Sequence, residues 1–68
     1  MQTFIVTGMT CEHCVRAVGG AIRGLDPAAH VEVDLQSGRV SVRGGRASAG
    51  AIVQAIEAEG YRATPSVA

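Results

Sequence analysis

With 68 residues, the chain is long enough for one small domain, and because 47 % of the residues are hydrophobic, disorder is excluded. Six basic and six acidic residues give a formal net charge of zero, and the only aromatic residues are Phe4 and Tyr61. Nucleic-acid-binding domains use basic surfaces and aromatic platforms, so this composition excludes nucleic acid as a partner. We expect a single domain over residues 1–68.

The sequence contains no signal for a membrane or for export. No run of 18 apolar residues is present, so no membrane-spanning helix is predicted. The N-terminal Met1-Gln2-Thr3 lacks the basic and apolar regions of a secretory signal. These absences predict a cytoplasmic protein that is not inserted in a membrane and whose thiols stay reduced.

The first part of the chain predicts a strand and then a helix. β-Branched and aromatic residues over Thr3–Thr7 indicate the strand. Apolar residues then recur in steps of three and four, which predicts a helix over residues 15–25. Its Gly19-Gly20 pair weakens it by roughly 1 kcal/mol per glycine relative to alanine. The inward stripe of this helix is predicted to be Val15, Val18, Ile22 and Leu25.

The middle of the chain predicts a β-hairpin. Polar and apolar residues alternate over residues 30–35 and again over residues 39–43, which is the pattern of two half-buried strands. Gln36-Ser37-Gly38 separates them and supplies the turn.

A second helix and a last strand complete the predicted fold. The helix spans Ala49–Glu59, with Ser48 as its N-cap and Gly60 as its C-cap candidate. The strand spans residues 61–64, and Pro65 places it at a sheet edge because proline cannot donate a ladder hydrogen bond. The resulting βαββαβ order predicts an α+β, ferredoxin-like fold: a four-stranded antiparallel sheet with both helices on one face.

Cys11-Glu12-His13-Cys14, a Cys-x-x-Cys sequence between the first strand and the first helix, is the strongest functional signal. Its spacing lets both sulfurs reach one point, where a soft metal ion can bind or a disulfide can close. Cys14 is predicted in the first helical turn, where free amide N–H groups and the helix dipole lower a thiol pKa. A disulfide would close a tiny loop and stabilise the fold little. Metal binding and dithiol redox chemistry remain open at this point.

Gly8-Met9-Thr10-Cys11-Glu12-His13-Cys14 at this position resembles the metal-binding motif of the heavy-metal-associated domain family. Gly60-Tyr61 before the last strand is similar to the bacterial copper chaperones of that family, so the resemblance covers essentially the whole chain. It implies a non-enzymatic copper chaperone in which Cys11 and Cys14 bind Cu(I) and deliver it to a copper-transporting P-type ATPase. Two thiolates leave the ion open to a third, whereas a closed four-ligand zinc site retains its metal.

Four neighbouring residues are expected to modulate the site. The resemblance implies that Met9 packs under the loop and that the Tyr61 hydroxyl approaches the sulfurs, with ordinary core packing as the alternative for Tyr61. His13 is expected to face solvent or a partner, with direct ligation as its alternative. Thr10 offers no carboxylate, whereas family members that serve zinc or lead pumps often carry Asp there, so Cu(I) is favoured.

Other interpretations stay open. The chain is alternatively a metal-binding domain of a copper ATPase or a thiol–disulfide redox protein; a mercury carrier is disfavoured because no export signal is present. A copper-responsive repressor is a second candidate recipient of the metal. The apo protein is expected to be a monomer, and exposed Cu(I) is expected to bridge chains into a dimer or a larger cluster.

Overall fold

In the computed structural model, which describes residues 1–66, one antiparallel sheet carries the two helices. Its strand order is β2-β3-β1-β4, with β1 paired to both β3 and β4. The predicted α+β, ferredoxin-like fold is confirmed. The elements in chain order are β1 (Gln2–Thr7), α1 (Glu12–Leu25), β2 (His30–Asp34), β3 (Arg39–Arg43), α2 (Ala49–Ala58) and β4 (Arg62–Ser66).

The core lies between one face of the sheet and the two helices. Strand residues contribute to it alternately, because successive side chains point to opposite faces of a sheet, and helix residues contribute at spacings of three or four. Removing these apolar side chains from water is the main term that stabilises the fold. The buried set is Phe4, Val6, Val18, Ile22, Ala29, Val40, Val42, Ile52, Ile56 and Ala63.

Two predictions about α1 are wrong in detail. The helix begins at Glu12 rather than at residue 15, because its N-cap is Cys11, and the polar first turn carries no apolar periodicity. Leu25, predicted to face the core, is 45 % exposed. It is the last residue of the helix, and the chain continues at Asp26 in an extended conformation.

The ends of the later elements also differ by one or two residues from the prediction. Strand β2 ends at Asp34, because its carbonyl accepts a hydrogen bond from the Gly38 amide at 2.8 Å and so begins the turn. Helix α2 ends at Ala58. Strand β4 runs over Arg62–Ser66 rather than over residues 61–64, because Pro65 is tolerated in an edge strand that pairs with β1 alone.

The caps of α2 follow the sequence signals. The Ser48 hydroxyl accepts a hydrogen bond from the Ala51 amide at 3.2 Å, which confirms the predicted N-cap. At the other end the cap residue is Glu59, and Gly60 follows it with a φ of +96°. Gly60 therefore takes the left-handed position that commonly ends a helix, and the chain turns there toward β4.

The cysteine loop after β1 lies at one end of the sheet, together with the β2–β3 turn and the segment that leads into β4. The Gly38 carbonyl accepts a hydrogen bond from the Val6 amide at 2.7 Å, which ties the β2–β3 turn to the end of β1. Thr7, the last residue of β1, pairs with Arg62, the first residue of β4. This pairing brings the loop after β1 next to Tyr61. Within residues 1–66, no helix is long and apolar enough to cross a membrane.

Candidate metal centre

The cysteine loop leaves β1 through Gly8 and enters α1 at Cys11. Gly8 has a φ of +99°, a backbone conformation that glycine adopts without the steric cost of a side chain. Met9 is half-buried and packs against the hydrophobic core, which anchors the middle of the loop. Thr10 and Cys11 are exposed. Met9 therefore holds the loop against the core, and the side chains of Thr10 and Cys11 lie at the surface.

The two sulfurs lie close together as free thiols. The Sγ atoms of Cys11 and Cys14 are 3.9 Å apart, which is well beyond the disulfide length of about 2.05 Å. The Cys11 carbonyl accepts hydrogen bonds from the Cys14 amide at 3.0 Å and the Val15 amide at 3.3 Å. These bonds close the first turn of α1, and they place both sulfurs at its N-terminus.

The Cys14 thiol is unusually acidic, with its pKa lowered from 9.0 to about 6. The largest cause is a hydrogen bond from the Thr10 backbone amide, and the second is a hydrogen bond from the Tyr61 hydroxyl; burial opposes both. Smaller contributions come from the Thr10 hydroxyl, 3.9 Å from the sulfur, and from the Cys11 amide. The sequence predicted the direction of this pKa shift, but the main donor lies in the loop before the helix.

The ring of Tyr61 shows the core packing that the sequence left open as an alternative, and the approach of its hydroxyl to the two sulfurs stays a prediction. The ring is half-buried, and the hydroxyl is the second-largest cause of the lowered pKa of Cys14. The same interaction raises the pKa of Tyr61, because ionising the phenol would forfeit the hydrogen bond and place a second negative charge beside the sulfur. Among the described residues, the hydroxyl that has hydrogen-bond geometry to the Cys14 sulfur is that of Thr10, at 3.9 Å.

His13 is exposed on the first turn of α1. Across the described residues, no group of three or more His, Cys, Asp or Glu side chains converges on one point. His13 is thus not brought together with the two thiols. The site offers two soft sulfur ligands, which fits a soft monovalent ion and falls short of the four ligands of a structural zinc site.

The structure shows two contributions that the sequence analysis missed. One is the Thr10 backbone amide, which lowers the pKa of Cys14. Because every residue except proline has such an amide, the residue type gave no indication of this role. The other is the position of the Tyr61 ring beside Gly8, where an added Cβ atom would lie 3.4 Å from the ring; this position depends on the pairing of β1 with β4. The sequence predicted only that β4 lies at the edge of the sheet, and this position does not identify which residues lie beside Tyr61.

Comparison with known proteins gives consistent matches over nearly the whole chain. The heavy-metal-associated domain family matches residues 3–62. The copper chaperone CopZ of Bacillus subtilis is 40 % identical over 62 residues, which are 88 % of this chain and 90 % of that protein. The copper chaperone Atx1 from Synechocystis superposes with a TM-score of 0.85 at 29 % identity, covering 91 % of this chain and 97 % of that one. A copper-binding domain from the P-type ATPase HMA7 gives a TM-score of 0.86 at 26 % identity, covering 98 % and 96 %.

Proposed function

This chain belongs to the heavy-metal-associated domain family, and from that membership we propose that it is a copper chaperone. In this proposal Cys11 and Cys14 bind one Cu(I), and the protein delivers the ion to a copper-transporting P-type ATPase without catalysing a reaction. The observation that carries the proposal is the pair of free thiols, 3.9 Å apart, at the exposed end of the sheet.

The geometry supports release as well as binding. Cys11 is exposed, so a thiolate from a partner can reach the ion from solvent. That thiolate adds to the two-coordinate ion, a three-coordinate species forms, and one of the original cysteines then leaves as a thiolate. Copper stays in the +1 state throughout, and the number of Cu–S bonds is the same before and after transfer.

The ligand set favours Cu(I) over Zn(II). Soft sulfur is the preferred donor of Cu(I), whereas protein-bound zinc usually takes four ligands. Thr10, which precedes the first cysteine, adds a hydroxyl and no carboxylate. The same openness lets a sulfur of a second chain join the ion, so we propose an apo monomer that copper converts into a bridged dimer or a larger cluster.

The proposed setting follows from the chemistry of the thiols. Cu(I) and reduced cysteines coexist in the cytoplasm, which we propose as the location of this protein, with residues 1–68 forming a single domain. The ATPase would receive the metal through its own copper-binding domain. The HMA7 domain, whose fold this chain shares, is an example of such a domain. A copper-responsive repressor is a further candidate recipient.

Two alternatives have an observation in their favour. The lowered pKa of Cys14, with a second thiol 3.9 Å away, suits a thiol–disulfide redox protein. The likeness to the HMA7 domain suits a metal-binding domain of a larger copper ATPase. An insulin-reduction assay tests the first alternative, and the length of the natural reading frame decides the second.

The main test is a competition titration of the reduced protein with Cu(I) and Zn(II) against chelators of known affinity. We expect one Cu(I) per chain at limiting metal, with weaker Zn(II) binding. Cys11→Ser and Cys14→Ser should each lose high-affinity Cu(I) binding and keep the circular dichroism spectrum, whereas Thr64→Ala, exposed on β4, should bind normally. Wild-type Cu(I) affinity in either serine variant would disprove the ligand assignment.

Delivery is tested separately. Copper-loaded protein is mixed with a purified copper-binding domain of a P-type ATPase, and the two are separated by ion exchange before metal analysis. We expect copper to partition onto the ATPase domain within the mixing time. Retention of all copper on the loaded protein would contradict the proposal of a chaperone.

A further inference from the structure

The side chain of Asp26 joins two connections that are distant in the sequence. Asp26 follows the last residue of α1, and its Oδ2 atom accepts hydrogen bonds from the backbone amides of Arg46 and Ala47, the second at 2.9 Å. Those two amides belong to the connection between β3 and α2. The side chain of Gln2, at the start of β1, donates to the Ala47 carbonyl at 3.0 Å. The joined connections therefore lie at the end of the sheet opposite the cysteine loop, which follows β1.

The two donor amides precede helix α2 and do not depend on its N-terminus. The Ser48 hydroxyl caps that helix by accepting a hydrogen bond from the Ala51 amide. Arg46 and Ala47 come before this cap, in the loop. Their N–H groups are donors that the helix itself does not use.

Two consecutive glycines give this loop its shape. Gly44 and Gly45 precede the donors and have φ values of +70° and +73°, which glycine adopts without steric cost. In turns of this kind, successive backbone N–H groups point into one concavity, a nest, which binds anions. The three atoms nearest to a Cβ atom added at Gly45 all belong to the Asp26 carboxylate, with the carboxylate carbon at 2.7 Å. The missing side chain of Gly45 therefore leaves the space that the carboxylate fills.

The backbone of Asp26 is itself held on both sides. Its amide donates to the Ile22 carbonyl at 2.8 Å, and its carbonyl accepts from the Ala29 amide at 3.0 Å. The carboxylate is thus presented to the loop from a fixed backbone. The Ala47 amide and then the Arg46 amide are the largest causes of the lowered pKa of Asp26, so the loop holds the ionised form in preference to the neutral acid.

We propose that residues 44–47 form a carboxylate-binding nest, that Asp26 fills it as a built-in ligand, and that a free carboxylate takes the same place when the Asp26 side chain is removed. In the wild-type chain the nest is then closed to anions from solution. This site is separate from the metal centre and does not rest on the proposed function.

The first experiment observes the hydrogen bonds by NMR. In the wild type, scalar coupling across each hydrogen bond should connect the amide nitrogens of Arg46 and Ala47 with the carboxylate carbon of Asp26. In Asp26→Ala, both amides should exchange with water roughly ten- to 150-fold faster, the factor expected for loss of a hydrogen bond to a charged group. The matched control is Asp34→Ala, which removes a carboxylate that accepts from the Gln36 amide of its own turn at 3.1 Å and should leave both exchange rates unchanged. Absence of the coupling in the wild type would overturn the placement, and this observation requires no variant to fold.

The second experiment supplies the missing ligand from solution. Asp26→Ala is titrated with sodium formate at pH 7, while sodium chloride is reduced to keep the ionic strength constant. Formate should raise the melting temperature progressively, because a ligand that binds only the folded state stabilises it, and the amide shifts of Arg46 and Ala47 should return toward their wild-type values. Wild type and Asp34→Ala should gain no more from formate than from chloride. Equal formate responses in the three proteins would overturn the nest. An Asp26→Ala chain that is unfolded without formate should refold in it, and failure to refold would count against the proposal in the same way.

The third experiment tests the role of Gly45. Gly45→Ala and Gly60→Ala both place alanine at a positive φ, but within the described chain no atom beyond the neighbours of Gly60 lies within 4 Å of its Cβ position. Gly45→Ala should therefore lower the melting temperature more than Gly60→Ala does. In an Asp26→Ala background this excess should disappear, because the new methyl group no longer meets a carboxylate. An excess that persists without the carboxylate would overturn the role assigned to Gly45.

Discussion

The acidity of Cys14 allows a test of which group controls the reactive sulfur. With a pKa of about 6, the thiol is mostly ionised at pH 7, whereas at its ordinary 9.0 about one molecule in a hundred would be. The hydrogen-bond donors of Thr10 and Tyr61 therefore raise the thiolate population at neutral pH by roughly two orders of magnitude. Each donor can be removed separately, except for the backbone amide of Thr10.

The perturbation is Tyr61→Phe, which deletes the hydroxyl and keeps the ring that packs on the core. Because this hydroxyl is the second-largest cause of the shift, the pKa of Cys14 should rise. It should stay below 9.0, since the larger contribution of the Thr10 amide remains. Thr10→Val removes only the weaker Thr10 hydroxyl, so it should raise the pKa less than Tyr61→Phe does.

The assay is alkylation by iodoacetamide as a function of pH, in a Cys11→Ser background that leaves one thiol. The pKa is read from the midpoint of the rate profile, because a more basic thiolate is also intrinsically more nucleophilic and the plateau rates are not comparable. Absorbance of the thiolate at 240 nm provides a second measurement. An unchanged midpoint in Tyr61→Phe, or a larger shift in Thr10→Val, would refute the assigned order of causes.

Three further predictions concern the scaffold. Ile22→Ala, at a fully buried position of α1, should lower the free energy of unfolding by about 2–5 kcal/mol in urea titrations; a loss below 1 kcal/mol would contradict its place in the core. Gly38→Ala and Gly60→Ala should each destabilise the fold by roughly 1–2 kcal/mol, because alanine is strained at a positive φ. In Gly38→Ala the new Cβ atom would in addition lie only 2.7 Å from the Val6 carbonyl oxygen. Gly38→Ala should therefore melt at the lower temperature, and equal melting temperatures would show that this contact relaxes freely. The amides of Ala47 and Arg46 lower the pKa of Asp26, so its carboxylate stabilises the fold above the unfolded-state pKa, and this stabilisation is lost as pH falls through the folded-state pKa. Asp26→Asn should lower the melting temperature at neutral pH, with a difference that shrinks on acidification; a difference independent of pH would argue against this linkage.

Features with a local signal could be predicted from the sequence. Ser48 caps α2 because a hydroxyl before a helix satisfies a free amide wherever the helix lies in the fold. Pro65 indicated the sheet edge for a similarly local reason, the missing N–H. Cys11 and Cys14 were evident from their spacing, and their sulfurs lie 3.9 Å apart in the folded chain.

Features that depend on tertiary placement were not predicted. The exposure of Leu25 depends on where α1 ends, which periodicity alone does not fix. The acidity of Cys14 was expected from the helix N-terminus, but its two largest causes are a loop amide and a side chain from the opposite end of the sequence. Such contacts follow from strand pairing, and strand pairing is a property of the whole sheet.

The pairing of β1 with β4 has a consequence for the newly made chain. The ribosome synthesises the cysteine loop before Tyr61, so residues 15–60 must be translated before the two can meet. Closing so long a stretch is entropically costly, so the β1–β4 ladder is expected among the later folding events. During translation the dithiol therefore precedes the phenol whose hydroxyl lowers the pKa of Cys14. Until β4 docks, Cys14 of a nascent chain lacks the hydroxyl of Tyr61, and its thiol is less acidic than in the folded protein.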